Sequence, residues 1–255
     1  MRRRLPTLAA VAFACAAPAA AQASVIQVAA AGELRIDGQP GEQSKVEVYY
    51  RTADEAGFGG VSDRIIVGDD AGATAAGDLC AVISTGDVSC DARTVTSIVA
   101  AMGDGDDTVR VNAGKTDFLP ASFAVSIRGG DGNDVLRGSL GDVFISADGG
   151  SDIAAGFTGD DRLFGGPGND GVVGFAGNDL LSGGVGNDAV FGQKGRDTMR
   201  GEQGNDVLLA RDGFRDRVID CGPGGVQQAV VDRRDPKPRR CQVVSEPKDR
   251  KGKGK

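Results

Sequence analysis

The chain has 255 residues, a formal net charge of −7, 41 glycines, and neither histidine nor tryptophan. The negative charge argues against nucleic-acid binding through basic residues. Without histidine, this chain cannot build a Ser-His-Asp triad or an HExxH zinc site. With 10 Phe and 2 Tyr, it suits thin layers of small side chains better than a thick aromatic core.

Residues 1–23 read as a secretory signal. "MRRRL" is a basic start, "LAAVAFACAAPAA" a short apolar run, and "AQA" (Ala21 to Ala23) supplies small residues before Ser24. The apolar run is too short for a membrane span, and no second long one follows. The expected location is secreted, extracellular, with no transmembrane segment. Removal of the signal takes Cys15 and leaves Cys80, Cys90, Cys221 and Cys241. An even number in an exported chain points to disulfides. Three pairings are open, and short loops favour Cys80–Cys90 and Cys221–Cys241.

Residues 24–128 read as short strands. "VIQVAAAGELRIDG", "KVEVYYR" and "DRIIVGDD" cluster or alternate β-formers between turn residues. "LCAVISTGDVSC" reads as a hairpin with its turn near Thr85, Gly86 and Asp87 and the Cys80–Cys90 pair at its base. No amphipathic helix pattern stands out. "GDGDDTVRV" (Gly103 to Val111) then introduces a Gly-rich, Asp-containing sentence, with Asp107 in the aspartate place.

From 129 to 209 that sentence repeats in one register, nine units of nine residues: GGDGNDVLR, GSLGDVFIS, ADGGSDIAA, GFTGDDRLF, GGPGNDGVV, GFAGNDLLS, GGVGNDAVF, GQKGRDTMR and GEQGNDVLL. The fourth place is always glycine. The first departs only at Ala147, and the sixth is aspartate except at Val143. The eighth is always apolar. Residues 210–244, which hold "DRVIDCGPG" and "VVDRRDPKPRRC", read as a cap. Residues 245–255 read as a disordered basic tail, a solvated segment before a surface anchor.

A nine-residue period suits half of a flattened coil in an all-β stack. Places seven to nine are expected to form a very short strand, and places one to six the turn. Two units make an 18-residue coil, with parallel strands at about 4.8 Å. The eighth place points inward, and places seven and nine, including Arg162, Thr198 and Ser182, point outward. Glycine accepts the positive φ and close approach of a tight turn.

Stacking then sets the sixth-place carboxylates in two columns. One is Asp134, Asp152, Asp170, Asp188 and Asp206. The other is Val143, Asp161, Asp179 and Asp197. The repeat carries 13 acidic against 5 basic residues. Stacked carboxylates repel unless a cation separates them. The oxygens on offer, carboxylates and glycine-loop carbonyls, suit Ca²⁺ better than Mg²⁺ or Zn²⁺.

The unit resembles the RTX (repeats-in-toxin) nonapeptide G-G-x-G-x-D-x-U-x, strongly over 129–209 and weakly over 102–110. The resemblance implies a parallel β-roll that folds on binding Ca²⁺, with no catalysis of its own. It implies metal ligation by the sixth-place aspartates Asp107, Asp134, Asp152, Asp161, Asp170, Asp179, Asp188, Asp197 and Asp206. Between 165–170 and 183–188 it further implies carbonyls of Gly165, Pro167, Gly184 and Gly186. The layout is similar to small secreted RTX-like proteins, with a structural or interaction role, calcium ions as partner, and a cell-surface or extracellular polymer as a second partner. The alternative is an extracellular hydrolase or adhesin whose working surface lies in 24–128.

Overall fold

The computed structural model describes residues 24–28, 32–41, 43–51, 64–69, 73–76, 80–84, 87–111, 123–224 and 227–245. The signal segment, the turn residues Thr85 and Gly86, and tail residues 246–255 lie outside the described residues.

The N-terminal strands are β1 (Ser24–Val28), β2 (Glu33–Asp37), β3 (Lys45–Arg51), β4 (Arg64–Asp69), β5 (Ala73–Ala76), β6 (Cys80–Ser84) and β7 (Asp87–Asp91). One 3₁₀ turn (Ala92–Thr94) follows, capped by the Asp91 side chain. Next come β8 (Ser97–Asp104), β9 (Thr108–Val111), β10 (Ala124–Asp131), β11 (Val135–Arg137), β12 (Val143–Gly149), β13 (Ile153–Thr158) and β14 (Arg162–Pro167). Then follow β15 (Gly171–Ala176), β16 (Leu180–Val185), β17 (Ala189–Lys194), β18 (Thr198–Gln203) and β19 (Val207–Leu209). The cap adds β20 (Val218–Asp220), β21 (Gln228–Val230) and β22 (Gln242–Ser245).

From β8 to β21, successive strands alternate between two sheets. One runs β20-β18-β16-β14-β12-β10-β8-β2-β1-β5, the other β22-β21-β19-β17-β15-β13-β11-β9-β3-β4-β7-β6. Within the repeat, each strand pairs in parallel with the strand 18 residues away, as Leu163↔Leu181 and Val172↔Val190. This is a parallel β-roll. Both sheets continue past 128 into the N-terminal region. There β8 pairs β10, β2 pairs β8, and β3 pairs β9, all in parallel, before antiparallel pairs and a final parallel β1–β5 pair close the end.

The eighth place forms the spine. Leu136, Ile145, Ala154, Leu163, Val172, Leu181, Val190, Met199 and Leu208 are all buried, and they join one core cluster with Ile36, Val46 and Ile98 upstream. That follows from strand geometry, since alternate side chains face opposite sides.

The strands are longer than the period suggests. Strands β11 and β19 keep to places seven to nine, but β13 to β18 run six residues, from place seven through place three of the next unit, as in Arg162–Pro167. Parallel pairing skips the first-place glycine and resumes beyond it, at Gly166↔Gly184 and Pro167↔Val185. The turn proper is therefore places four to six. Ser182 is also less open than its outward position implies. It is buried because its hydroxyl donates to Glu202 at 2.6 Å.

A spine built on one apolar residue per unit predicts a sharp contrast. Leu181→Ala is expected to destabilise the roll by about 2–5 kcal/mol through lost burial and a cavity. Arg162→Ala, on the exposed face, should change stability by no more than about 0.5 kcal/mol. Urea unfolding at fixed cation concentration measures both. Equal losses would show that the eighth place is not the core.

Candidate metal centre

The sixth-place aspartates form two hydrogen-bonded ladders. Each Oδ1 accepts from the backbone N–H of the aspartate one coil earlier: Asp134 donates to Asp152, Asp152 to Asp170, Asp170 to Asp188 and Asp188 to Asp206, at 2.7–3.1 Å. Upstream, Asp107 donates to Asp134 and Ser44 to Asp107. On the other edge, Val143 donates to Asp161, Asp161 to Asp179, and Asp179 to Asp197, each at 2.9 Å. The two predicted columns are thus brought together, and Val143 keeps its donor role without supplying a carboxylate.

The second carboxylate oxygen is left over. Oδ2 of Asp107, Asp134, Asp152, Asp161, Asp170, Asp179, Asp188, Asp197 and Asp206 is buried with no hydrogen-bond partner. These nine residues are at most 3% exposed. A buried charged oxygen without a partner is costly.

First-place glycines guard that oxygen. A Cβ at Gly165 would fall against Asp170 Oδ2 and the Gly183 carbonyl, and the same clash with the carboxylate recurs at Gly129, Gly156, Gly174, Gly183, Gly192 and Gly201. Their role is to leave room at the carboxylate. The fourth-place glycines serve the turn. Gly168, Gly177, Gly186, Gly195 and Gly204 have φ of 145–151°, and a Cβ there would overlap the fourth-place carbonyl of the preceding coil.

Carbonyl directions alternate along each turn. First- and third-place carbonyls face the preceding coil. Pro167 O accepts from Gly150 N at 2.9 Å, Val185 O accepts from Gly168 N at 2.7 Å, and Gly183 O lies over Gly165. Second- and fourth-place carbonyls face the next coil, as Gly166 O over Gly184 and Gly168 O over Gly186. The space between 165–170 and 183–188 is therefore faced by carbonyls of Gly166, Gly168, Gly183 and Val185. The four carbonyls expected there from the resemblance face neighbouring gaps instead. Gly165 and Pro167 serve the gap above, and Gly184 and Gly186 the gap below. The reason is the alternation of C=O direction in a parallel ladder.

Burial dominates the electrostatics. It pushes the carboxyls of Asp152, Asp161, Asp188 and Asp197 up to about 7, and those of Asp107 and Asp179 to about 6. Asp134, Asp170 and Asp206 rise for the same reason. Backbone donors oppose the shift, and for most of them neighbouring carboxylates add to it. Among the described residues, no three carboxylate or thiol side chains converge to hold an ion alone. The donor set for a cation is two carboxylates plus turn carbonyls. All are hard oxygens in a flexible ring, which fits Ca²⁺.

Sequence reasoning missed Asp216. Its Oδ1 accepts from Asp197 N at 2.9 Å, so it extends the even column by one step. The signal was the blurred Gly-x-x-Asp of 213–216. The spacing of 19 instead of 18 hid it. Cys80–Cys90 and Cys221–Cys241 are disulfides in the structure, with Cα–Cα separations of 4.2 and 5.3 Å. A cleft of about 380 Å³ near Val143 is lined by Glu33, Ser126, Asp142, Phe144 and Arg162, among others.

The chain matches the family model of the RTX calcium-binding nonapeptide repeat in four overlapping copies, at residues 128–156, 144–172, 155–190 and 173–208. Together they span about a third of the chain. No curated protein and no solved structure matches it. The matched segment is a calcium-binding nonapeptide array, and its geometry supplies the oxygens such an array needs.

The raised acids set a pH dependence. Each binds its proton more tightly in the folded roll than in the unfolded chain, where the ordinary value is 3.8. Protonation therefore supports the cation-free roll below about pH 4. That support is lost as pH rises through 6 to 7, the range of the shifted groups. In EDTA, β-structure measured by circular dichroism is expected to fall from pH 4 to pH 8. With Ca²⁺ present it should persist at pH 8. A cation-free roll that gains β-structure over that range contradicts the assignment.

Proposed function

We propose that this chain, whose residues 128–208 match the RTX calcium-binding nonapeptide repeat, is a secreted, non-catalytic module whose roll assembles when Ca²⁺ fills the gaps between coils. The observation that carries this reading is the half-satisfied carboxylate. Nine buried aspartates use Oδ1 to tie coil to coil and leave Oδ2 without a partner. A column of such oxygens favours unfolding until a cation occupies it, so metal binding and folding are coupled.

The ion between 165–170 and 183–188 is held by the carboxylates of Asp170 and Asp188 and the carbonyls of Gly166, Gly168, Gly183 and Val185. Bound Ca²⁺ supplies the positive charge that lets successive carboxylates stack ionised. The chain's own residues fix the spacing of that stack through the ladder. The same arrangement recurs at 147–152 with 165–170 and at 183–188 with 201–206.

Secretion rests on the signal-like residues 1–23 and fits the two disulfides, which persist in oxidising compartments. Among the described residues, no helix is long and apolar enough to cross a membrane. The alternative, an adhesive or hydrolytic surface in 24–128, would use the cleft beside Glu33 and Asp142.

A Ca²⁺ titration followed by circular dichroism tests the reading. β-Structure is expected to rise with Ca²⁺ up to about 10 mM, above the weak extracellular range. The double variant Asp170→Ala/Asp188→Ala should raise the midpoint by about tenfold or more, since even loss of an outer partner costs a metal site that much. Asp160→Ala, which gives up only exposed bonds to Asn178, should stay close to the unaltered chain. Identical spectra in EDTA and in Ca²⁺ would sink the proposal.

A further inference from the structure

The matched repeat ends at residue 208, yet the cap turn at 221–227 is built as a repeat turn. Strand β21 pairs with β19 as Val207↔Gln228, which sets Gln227 opposite Asp206, in the sixth place. The backbone agrees. Gln228 N donates to Asp206 O at 2.8 Å, as Val207 N does to Asp188 O and Ala189 N to Asp170 O. The other places match as well. The Cys221 carbonyl lies over first-place Gly201, and Pro223 O accepts from Gly204 N at 3.4 Å. A Cβ at Gly222, where φ is 86°, would meet the Glu202 carbonyl, and one at Gly224 the Gly204 carbonyl. Two residues, 225 and 226, separate the fourth place from the sixth, where a regular unit has one. That insertion hides the turn from the nine-residue period.

The sixth place is where this turn departs from the others. Asp134, Asp152, Asp170, Asp188 and Asp206 each put an accepting carboxylate there. Gln227 puts a donor there. It is 3% exposed, and its Nε2 donates to the Gly204 carbonyl at 3.1 Å. The orientation is forced, because a carbonyl can only accept and the amide must turn its N–H toward it. The gap between 165–170 and 183–188 offers two carboxylates and four carbonyls. Between 201–206 and 221–227, Gln227 removes one carboxylate and occupies one carbonyl. What is left is Asp206 with the carbonyls of Glu202, Cys221 and Pro223. That set falls short of the roughly six to eight oxygens that Ca²⁺ takes.

We propose that Gln227 ends the odd ion column. Between the last nonapeptide turn and the cap, its amide N–H supplies the positive pole that Ca²⁺ supplies between the turns before it. The ion between 183–188 and 201–206 is then the last of its column, and this edge of the cap is joined to the roll by a bond that needs no metal. One neutral side chain sets how many ions the odd edge takes. On the even edge the cap keeps an aspartate at the matching place, Asp216, so the two edges end differently. The inference rests on the calcium reading of the roll and goes beyond it by naming the residue that stops the array.

Counting bound Ca²⁺ per full-length chain by equilibrium dialysis, at saturating Ca²⁺, tests it. Gln227→Glu keeps the side-chain length and replaces the donor with a carboxylate, so its count is expected to exceed that of the unaltered chain by one ion. Gln227→Met keeps the length and removes both polar groups, and its count should equal that of the unaltered chain. Loss of one ion in Gln227→Met would make the amide a ligand and overturn the proposal. An unchanged count in Gln227→Glu overturns it too. If one variant fails to fold, seen as lost β-structure in circular dichroism, the other still decides. An unaltered chain that binds no Ca²⁺ overturns the calcium reading of the roll and this inference with it.

Discussion

The structure depends on a carboxylate that is satisfied on one side only. Oδ1 of each sixth-place aspartate is locked by the N–H of the coil before it, which fixes the side chain and buries it. Once fixed, Oδ2 can neither turn to solvent nor find a protein donor. Such a group must be protonated or matched by a cation. The hydrogen bond that joins the coils is therefore also what creates the demand for metal. On the proposed reading, coil stacking and, above the pH where these acids ionise, ion binding are linked through two oxygens of the same side chain.

The glycines divide along this line. Fourth-place glycine answers to stacking, because a side chain there would overlap the carbonyl of the coil above, as at Gly186 over Gly168. First-place glycine answers to the carboxylate, because a side chain there would press on Oδ2. Ala147 shows that a single methyl is tolerated in the first place of one unit, where it is fully buried. No fourth place in the repeat departs from glycine. Sequence strictness thus follows the closer approach to backbone and the positive φ that the fourth place adds.

Much of this was legible in the sequence. The spine, the two columns and the parallel 18-residue pairing all follow from periodicity, because burial and stacking act at fixed intervals. Three things were not legible. Strand length was hidden because places one to three look like turn residues by composition yet still pair across coils. Carbonyl direction was hidden because it belongs to the backbone and leaves no mark on residue type. The continuation to Asp216 was hidden by one inserted residue, which breaks a period without breaking the ladder. The N-terminal region is a fourth case. Strand β2 continues one sheet of the roll by pairing in parallel with β8, yet it carries no nonapeptide; the shared spine and the Ser44 N–H that donates to Asp107 join it to the roll.

Second-place residues show how the fold gives variety to an otherwise fixed turn. The backbone there is left-handed at every second place except Ser139: φ is 117° and 119° at Gly166 and Gly184, and 67–86° at Asp148, Phe157, Phe175, Gln193 and Glu202. For a phenylalanine that conformation costs about 1–2 kcal/mol. Phe157 and Phe175 recover part of it by stacking at 5.1 Å with ring planes 5° apart, a contact worth about 0.5–1.5 kcal/mol. On the other edge, Asp148 and Glu202 accept from Ser146 and Ser182, each at 2.6 Å. One edge of the roll therefore carries a stacked aromatic pair and the other two acidic residues, although both are built from the same nine-residue unit. The fourth place does not vary and the sixth is, but for Val143, committed to the aspartate ladder. The second place is where this repeat can change its surface chemistry without changing its fold.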